Sequence, residues 1–88
     1  MANSIWCDDV EVPAIEKSNR VSYKFISGKN ENGYEWSMVT SFLSTGTQED
    51  VQRAVDSLLA QSGDEHHVFI EGFDYDTEHK TWDVCLGS

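Results

Sequence analysis

The sequence predicts an α+β domain: an antiparallel sheet of four to five strands, order (β)ββαββ, with one helix packed on one face. Three observations carry this. Two pairs of alternating segments flank a single strongly amphipathic segment. Each pair is joined by a short polar stretch of turn-forming residues. The composition, 39% hydrophobic and 11% aromatic, suits a packed core and is too aromatic for a disordered acidic tail. At 88 residues there is room for one core, so residues 1–88 form a single domain.

Ile5 to Val12 is a candidate first strand closed by Pro13, with Asp8 and Asp9 breaking its apolar pattern. Val21 to Ser27 alternates, with Val21, Tyr23 and Phe25 on one side and Ser22 and Lys24 on the other. Tyr34 to Leu43 alternates again, placing Tyr34, Trp36, Met38 and Phe42 together against Glu35, Ser37 and Ser41. The turn-rich Gly28 to Gly33 between them makes the pair a hairpin, with a connection longer than two residues.

Gln48 to Ser62 is the predicted helix. Thr47 can cap it, and Asp50 stands three residues on, as in a capping box with Asp in place of Glu or Gln. Val51, Ala54, Val55, Leu58 and Leu59 form one apolar stripe, and Gly63 supplies a left-handed stop.

The last hairpin joins His67–Asp76 to Lys80–Leu86 through Thr77-Glu78-His79. Within its first strand Val68 and Ile70 differ in parity from Phe73 and Tyr75, with Gly72 between the pairs. A one-residue bulge at Glu71-Gly72 brings all four apolar side chains to the core. The same bulge turns Glu71, Asp74 and Asp76 outward beside Asp83, with Glu78 at the turn.

One helix is about 10 Å wide and covers two or three strands spaced about 4.8 Å apart. The aromatics read as inward, Tyr23, Phe25, Tyr34, Trp36, Phe42, Phe73, Tyr75 and Trp82, exceed that cover. Sheet curl or the N-terminal segment is expected to absorb the excess. Failing that, the excess is a partner or homodimer surface.

Sixteen acidic residues stand against six basic ones, for a formal charge of −10. Such charge disfavours nucleic acid and anionic membrane as direct partners and favours a basic protein. No basic and apolar leader opens the chain and no apolar run reaches the length of a membrane span, so a cytoplasmic location is expected. Cys7 and Cys85 are then reduced thiols, and no CxxC pair suggests a redox or zinc site.

Motifs for chemistry fail when tested. Asp74-x-Asp76-x-Glu78 opens like a calcium loop, but His79 and Cys85 occupy the positions that need Gly and Glu. Asp64-Glu65-His66-His67 reads as a polar loop, because neighbouring histidines diverge. No motif orients Cys85 and a histidine as a nucleophile pair, and no glycine-rich phosphate loop is present. No cofactor or metal is implied, and the chain is read as a binder and not an enzyme.

In size, charge sign and simple sheet-plus-helix layout, the chain resembles small acidic inhibitors: phage-encoded anti-defence proteins, nucleic-acid mimics and nuclease-immunity proteins. The resemblance implies a stoichiometric inhibitor or mimic of a basic, nucleic-acid-handling protein, and it transfers no residue's role. The expected contact residues come from the hairpin: Glu71, Asp74, Asp76, Glu78 and Asp83. Side chains at i and i+2 of a strand lie roughly 6.7 Å apart, close to the separation of successive phosphates on an extended nucleic-acid strand. Two other classes are weighed beside it. One is an interaction module or small subunit binding through exposed aromatic sheet surface, and the other is a small enzyme or ligand binder using Cys85 or the histidines.

Overall fold

The computed structural model describes residues 3–88. In chain order the elements are β1 (Ile5–Trp6), β2 (Arg20–Asn30), β3 (Gly33–Phe42), α1 (Gln48–Ser62), β4 (Phe69–Asp76) and β5 (Thr81–Gly87). The fold is α+β, with five strands in one sheet whose spatial order is β1-β4-β5-β2-β3. The sheet is mixed, which corrects the antiparallel expectation. The hairpins β2–β3 and β4–β5 are antiparallel, but β1 runs parallel to β4 and β5 runs parallel to β2.

The helix explains the parallel junction. At 15 residues α1 spans about 22 Å and carries the chain from the end of β3 back along the sheet. β4 therefore runs in the same sense as β3, and its hairpin partner β5 lies beside β2 in the same sense as β2. Only Val21–Ser22 and Trp82–Asp83 pair across this junction, and beyond them the two strands are unpaired with each other.

The helix forms where the sequence places it. Thr47 Oγ1 accepts from the Asp50 amide at 3.2 Å, and Gly63 stops the helix at φ 74° with its amide on the Leu59 carbonyl. The return half of a capping box is redirected. The Asp50 carboxylate accepts from the Ser44, Thr45 and Gly46 amides and the Ser44 hydroxyl, so it folds the β3–α1 loop onto the helix start. These bonds, the Thr45 and Gly46 amides foremost, lower the Asp50 pKa from 3.8 to about 2. Because the folded value is the lower one, the stabilisation is complete above the unfolded value and is lost as pH falls through about 2. Asp50→Asn is expected to lower Tm by several degrees at neutral pH and by much less in strong acid, as circular dichroism melts would read it.

The core lies between α1 and one face of the sheet. Val51, Val55, Leu58 and Leu59 of the helix meet Val21, Tyr23, Ile70 and Val84 of the strands. α1 lies against β2 and β3. The N-terminal segment covers the β4–β5 end of the same face. Ser4 is tied to the helix through Asp56 and Gln52, Trp6 packs on Phe73 with ring centroids 5.7 Å apart, and Trp82 Nε1 donates to the Ala14 carbonyl. Lys17 Nζ lies 4.4 Å from the Tyr75 ring centroid, and Tyr75 meets Trp82 edge-on. The expected cover from this segment thus exists for Phe73, Tyr75 and Trp82. Of the candidate first strand only Ile5–Trp6 is strand, because Asp9 takes a positive φ of 68° and turns the chain away.

The first hairpin differs from expectation in two ways. Its strands run on through Gly28, so the connection is only Glu31–Asn32, with a bulge between Ile26 and Gly28 restoring the register. Its second strand also faces the other way. Tyr23 pairs with Val39 and Phe25 with Ser37 on the helix side, while Lys24 pairs with Met38 and Ile26 with Trp36 on the side away from the helix. Trp36, Met38 and Phe42 therefore point out of the core. Among the described residues no helix is long and apolar enough to cross a membrane.

Candidate functional site: the open face of the sheet

The face away from α1 has two parts. β4 and β5 carry acids, and β3 with the neighbouring part of β2 carries apolar side chains.

The acidic part depends on a bulge. Ile70 pairs with Leu86 and Gly72 with Cys85, so Glu71 is the extra residue, at the place where the parity shift and Gly72 signalled it. Downstream, Phe73, Tyr75, Trp82 and Val84 lie on the helix side. Asp74, Asp83 and Cys85 alternate with them onto the open face, and Asp74 stands directly opposite Asp83. The Glu71 carboxylate lies over Gly87, in the space a Cβ there would occupy.

The five expected contact residues are not equivalent. Asp76 is already occupied: its carboxylate accepts from Lys24 Nζ at 2.8 Å, from His79 Nδ1 at 2.8 Å and from the Glu78 and His79 amides. Lys24 first, then His79, hold its carboxyl well below the usual carboxylate range. Asp76 organises the β4–β5 turn, and Lys24 bridges that turn to β2. The sequence offered no sign of Lys24, whose contact spans 52 residues. Glu78 is exposed at the turn. Asp74 Oδ2 accepts from the Cys85 thiol at 3.5 Å. Burial first, then this bond and the charges of Asp74, Asp83 and Glu71, push the thiol up to about 11, so it is protonated and a poor nucleophile at neutral pH.

Asp83 is the most strained of the set. Its Oδ1 is buried and has no hydrogen-bond partner. Burial raises its pKa, Lys24 opposes the rise, and Asp76 and Asp74 add to it. Like charges directly opposite on neighbouring strands are destabilising, and so is a buried oxygen without a donor. The pH dependence follows from the sign of each shift. Asp83 binds its proton more tightly folded than unfolded, so stability is expected to rise as pH falls from neutral toward its raised value. It then drops as the depressed carboxylates Asp50, Asp64 and Asp76 take up protons. Urea titrations across pH check this, and Asp83→Asn should remove the rise while keeping the drop.

The apolar part is a row on the outer strand. Trp36 is 66% exposed and Phe42 71%, with Tyr34, Met38 and Ile26 also exposed beside them. Of these, the sequence reading places Tyr34, Trp36, Met38 and Phe42 toward the core. Alternation alone sets which residues share a face, not which face the helix covers.

Between the two parts, where β2 and β5 stop pairing, lies an open groove of about 840 Å³. Its lining includes Lys24, Ile26, Trp36, Asp83, Cys85 and the loop after α1. That loop is held by Asp64, which accepts from the Tyr23 hydroxyl at 2.9 Å, the His66 and His67 amides and His67 Nδ1 at 2.7 Å. Burial would raise the Asp64 carboxyl, but the His67 and His66 amides, the His67 ring and Tyr23 together hold it well below the usual range. A carboxylate only accepts, so His67 carries its proton on Nδ1. Burial, then the bond to Asp64, pushes the Tyr23 phenol above its usual value. Both cysteines are free thiols, and among the described residues no three His, Cys, Asp or Glu side chains gather as metal ligands.

The chain matches no protein-family model, and neither the curated proteins nor the solved structures compared with it yield a match.

Proposed function

We propose that the chain is a stoichiometric binding protein that docks its open sheet face on a basic, nucleic-acid-handling protein and occupies that protein's cationic groove. One observation carries the reading: Asp74 and Asp83 stand opposite each other, with an Asp83 oxygen buried and unpartnered. This like-charge pair costs the isolated fold stability, and a partner's Arg or Lys placed against the exposed Asp74 offsets its repulsion with Asp83. Glu71 adds charge at the same place, and the net −10 steers a cationic partner toward it. Asp76 is excluded from the contact set because Lys24 and His79 already satisfy it.

Affinity capture from cells of the source organism tests this, with the natural chain and Glu71→Gln/Asp74→Asn/Asp83→Asn as paired baits at low and high salt. The expected capture is a basic protein that is released by salt, displaced by nucleic acid and missing from the variant bait. A protein held equally by both baits would exclude the acidic face.

The exposed row on β3 favours a second reading, an interaction module that binds through apolar contact. It predicts capture that is insensitive to salt and abolished by Trp36→Ala.

A further inference from the structure

We infer that two copies of this chain pair edge to edge through β3, antiparallel about a two-fold axis, into one continuous sheet. The inference concerns the free edge of the sheet and does not depend on the proposed partner.

The two edges of the sheet are built differently. β1 is two residues long and runs into Asp8 and Asp9, which is how a protected edge ends. β3 is ten residues long and, among the described residues, pairs only with β2. Its sequence GYEWSMVTSF has no proline and a single charge, Glu35. The bulge in this hairpin belongs to β2, so β3 itself alternates without interruption. Short length, charge, proline and bulges normally blunt an edge, and β3 has only the single Glu35.

The faces limit the register. Tyr34, Trp36, Met38, Thr40 and Phe42 share the open face, so a continuous sheet must place even-numbered residues opposite even-numbered ones. Centring the pair on Met38 keeps nearly the whole strand paired. It sets Tyr34 against Phe42 and Trp36 against Thr40, the aromatic and β-branched pairs that stabilise a ladder. Glu35 then faces Ser41, so no like charges meet. The two exposed rows merge into one apolar strip.

Electrostatics and helix spacing both permit this pairing. The acids of β5 lie two strands in from β3. Across the joined sheet the two β5 strands stand roughly 24 Å apart, beyond a Debye length of about 8 Å at physiological salt. A helix seated over β2 and β3 stands close to this edge, so the two helices come roughly 10 Å apart, a normal packing distance. A second copy is favoured over the basic partner because β3 offers a cation only Glu35, while an antiparallel strand pairs with itself and closes at two.

Sedimentation of the natural chain and disulfide trapping test this together. The expected mass is twice that of one chain, with dimer favoured by higher salt, the opposite sign to partner binding. In a Cys7→Ser/Cys85→Ser background, Met38→Cys is expected to form an interchain disulfide under mild oxidation, because directly opposed Cα atoms lie within bridging distance. Glu35→Cys, which faces Ser41, should still dimerise but stay largely uncrosslinked. Met38→Lys places like charges opposite each other and should return the protein to monomer with an unchanged circular dichroism spectrum. A monomer at all concentrations and salts, or a dimer that crosslinks through Glu35→Cys instead of Met38→Cys, overturns the inference.

Discussion

A chain carrying Asp74→Asn and Asp83→Asn is expected to fold more stably than the natural one and to lose its partner. The stability gain follows from Coulomb's law and burial. The two carboxylates face each other across β4 and β5, and one Asp83 oxygen is buried without a donor. Exposed like charges in this position cost up to about 1 kcal/mol, and solvent screening keeps the figure at that level. In a domain of this size that raises Tm by several degrees. The loss of binding follows from the same charges. Removing acids that pair a partner's desolvated cations costs about 2–5 kcal/mol, so affinity should fall by roughly thirtyfold to several thousandfold. Urea unfolding and a binding titration with the captured protein give the two numbers. A variant less stable than the natural chain would show that the carboxylates hold the fold together instead of straining it.

The largest loss of stability is expected from Leu58→Ala. Leu58 is fully buried on the helix stripe, in the cluster with Val21, Ile70 and Val84. Truncating a buried leucine costs about 2–5 kcal/mol in lost transfer energy and cavity. A fall in Tm on the order of 15 °C follows for a domain of this size. The contrast with Ala60, exposed on the same helix, makes the test specific: Ala60→Ser should move Tm by a degree or two.

Local signals were legible in the sequence and non-local ones were not. The helix was readable at both ends because Thr47, Asp50 and Gly63 act through bonds within a few residues. The Glu71 bulge was readable because a parity shift beside a glycine is itself local. The parallel pairing of β5 with β2 was not, because strand sense there depends on how α1 returns the chain. The orientation of β3 was not legible for a related reason. Trp36, Met38 and Phe42 alternate like a core face, yet position at the sheet edge and the side occupied by the helix decide what they meet. Among the acids, the sequence placed Glu71, Asp74 and Asp83 on the open face. It missed that Asp76 serves the turn, since Lys24 lies 52 residues away in the chain. The Asp64–Tyr23 bond, across 41 residues, was hidden in the same way.

The central claim is that the opposed acids on the open face, only partly offset by Lys24, serve to meet a partner's cations. The dependence of affinity for the captured partner on salt tests it most directly, measured for the natural chain and for Glu71→Gln/Asp74→Asn/Asp83→Asn. The account predicts steep weakening with salt for the natural chain, and a weaker, flatter dependence for the variant. Affinity that is flat in salt, and equal in the two proteins, would contradict it.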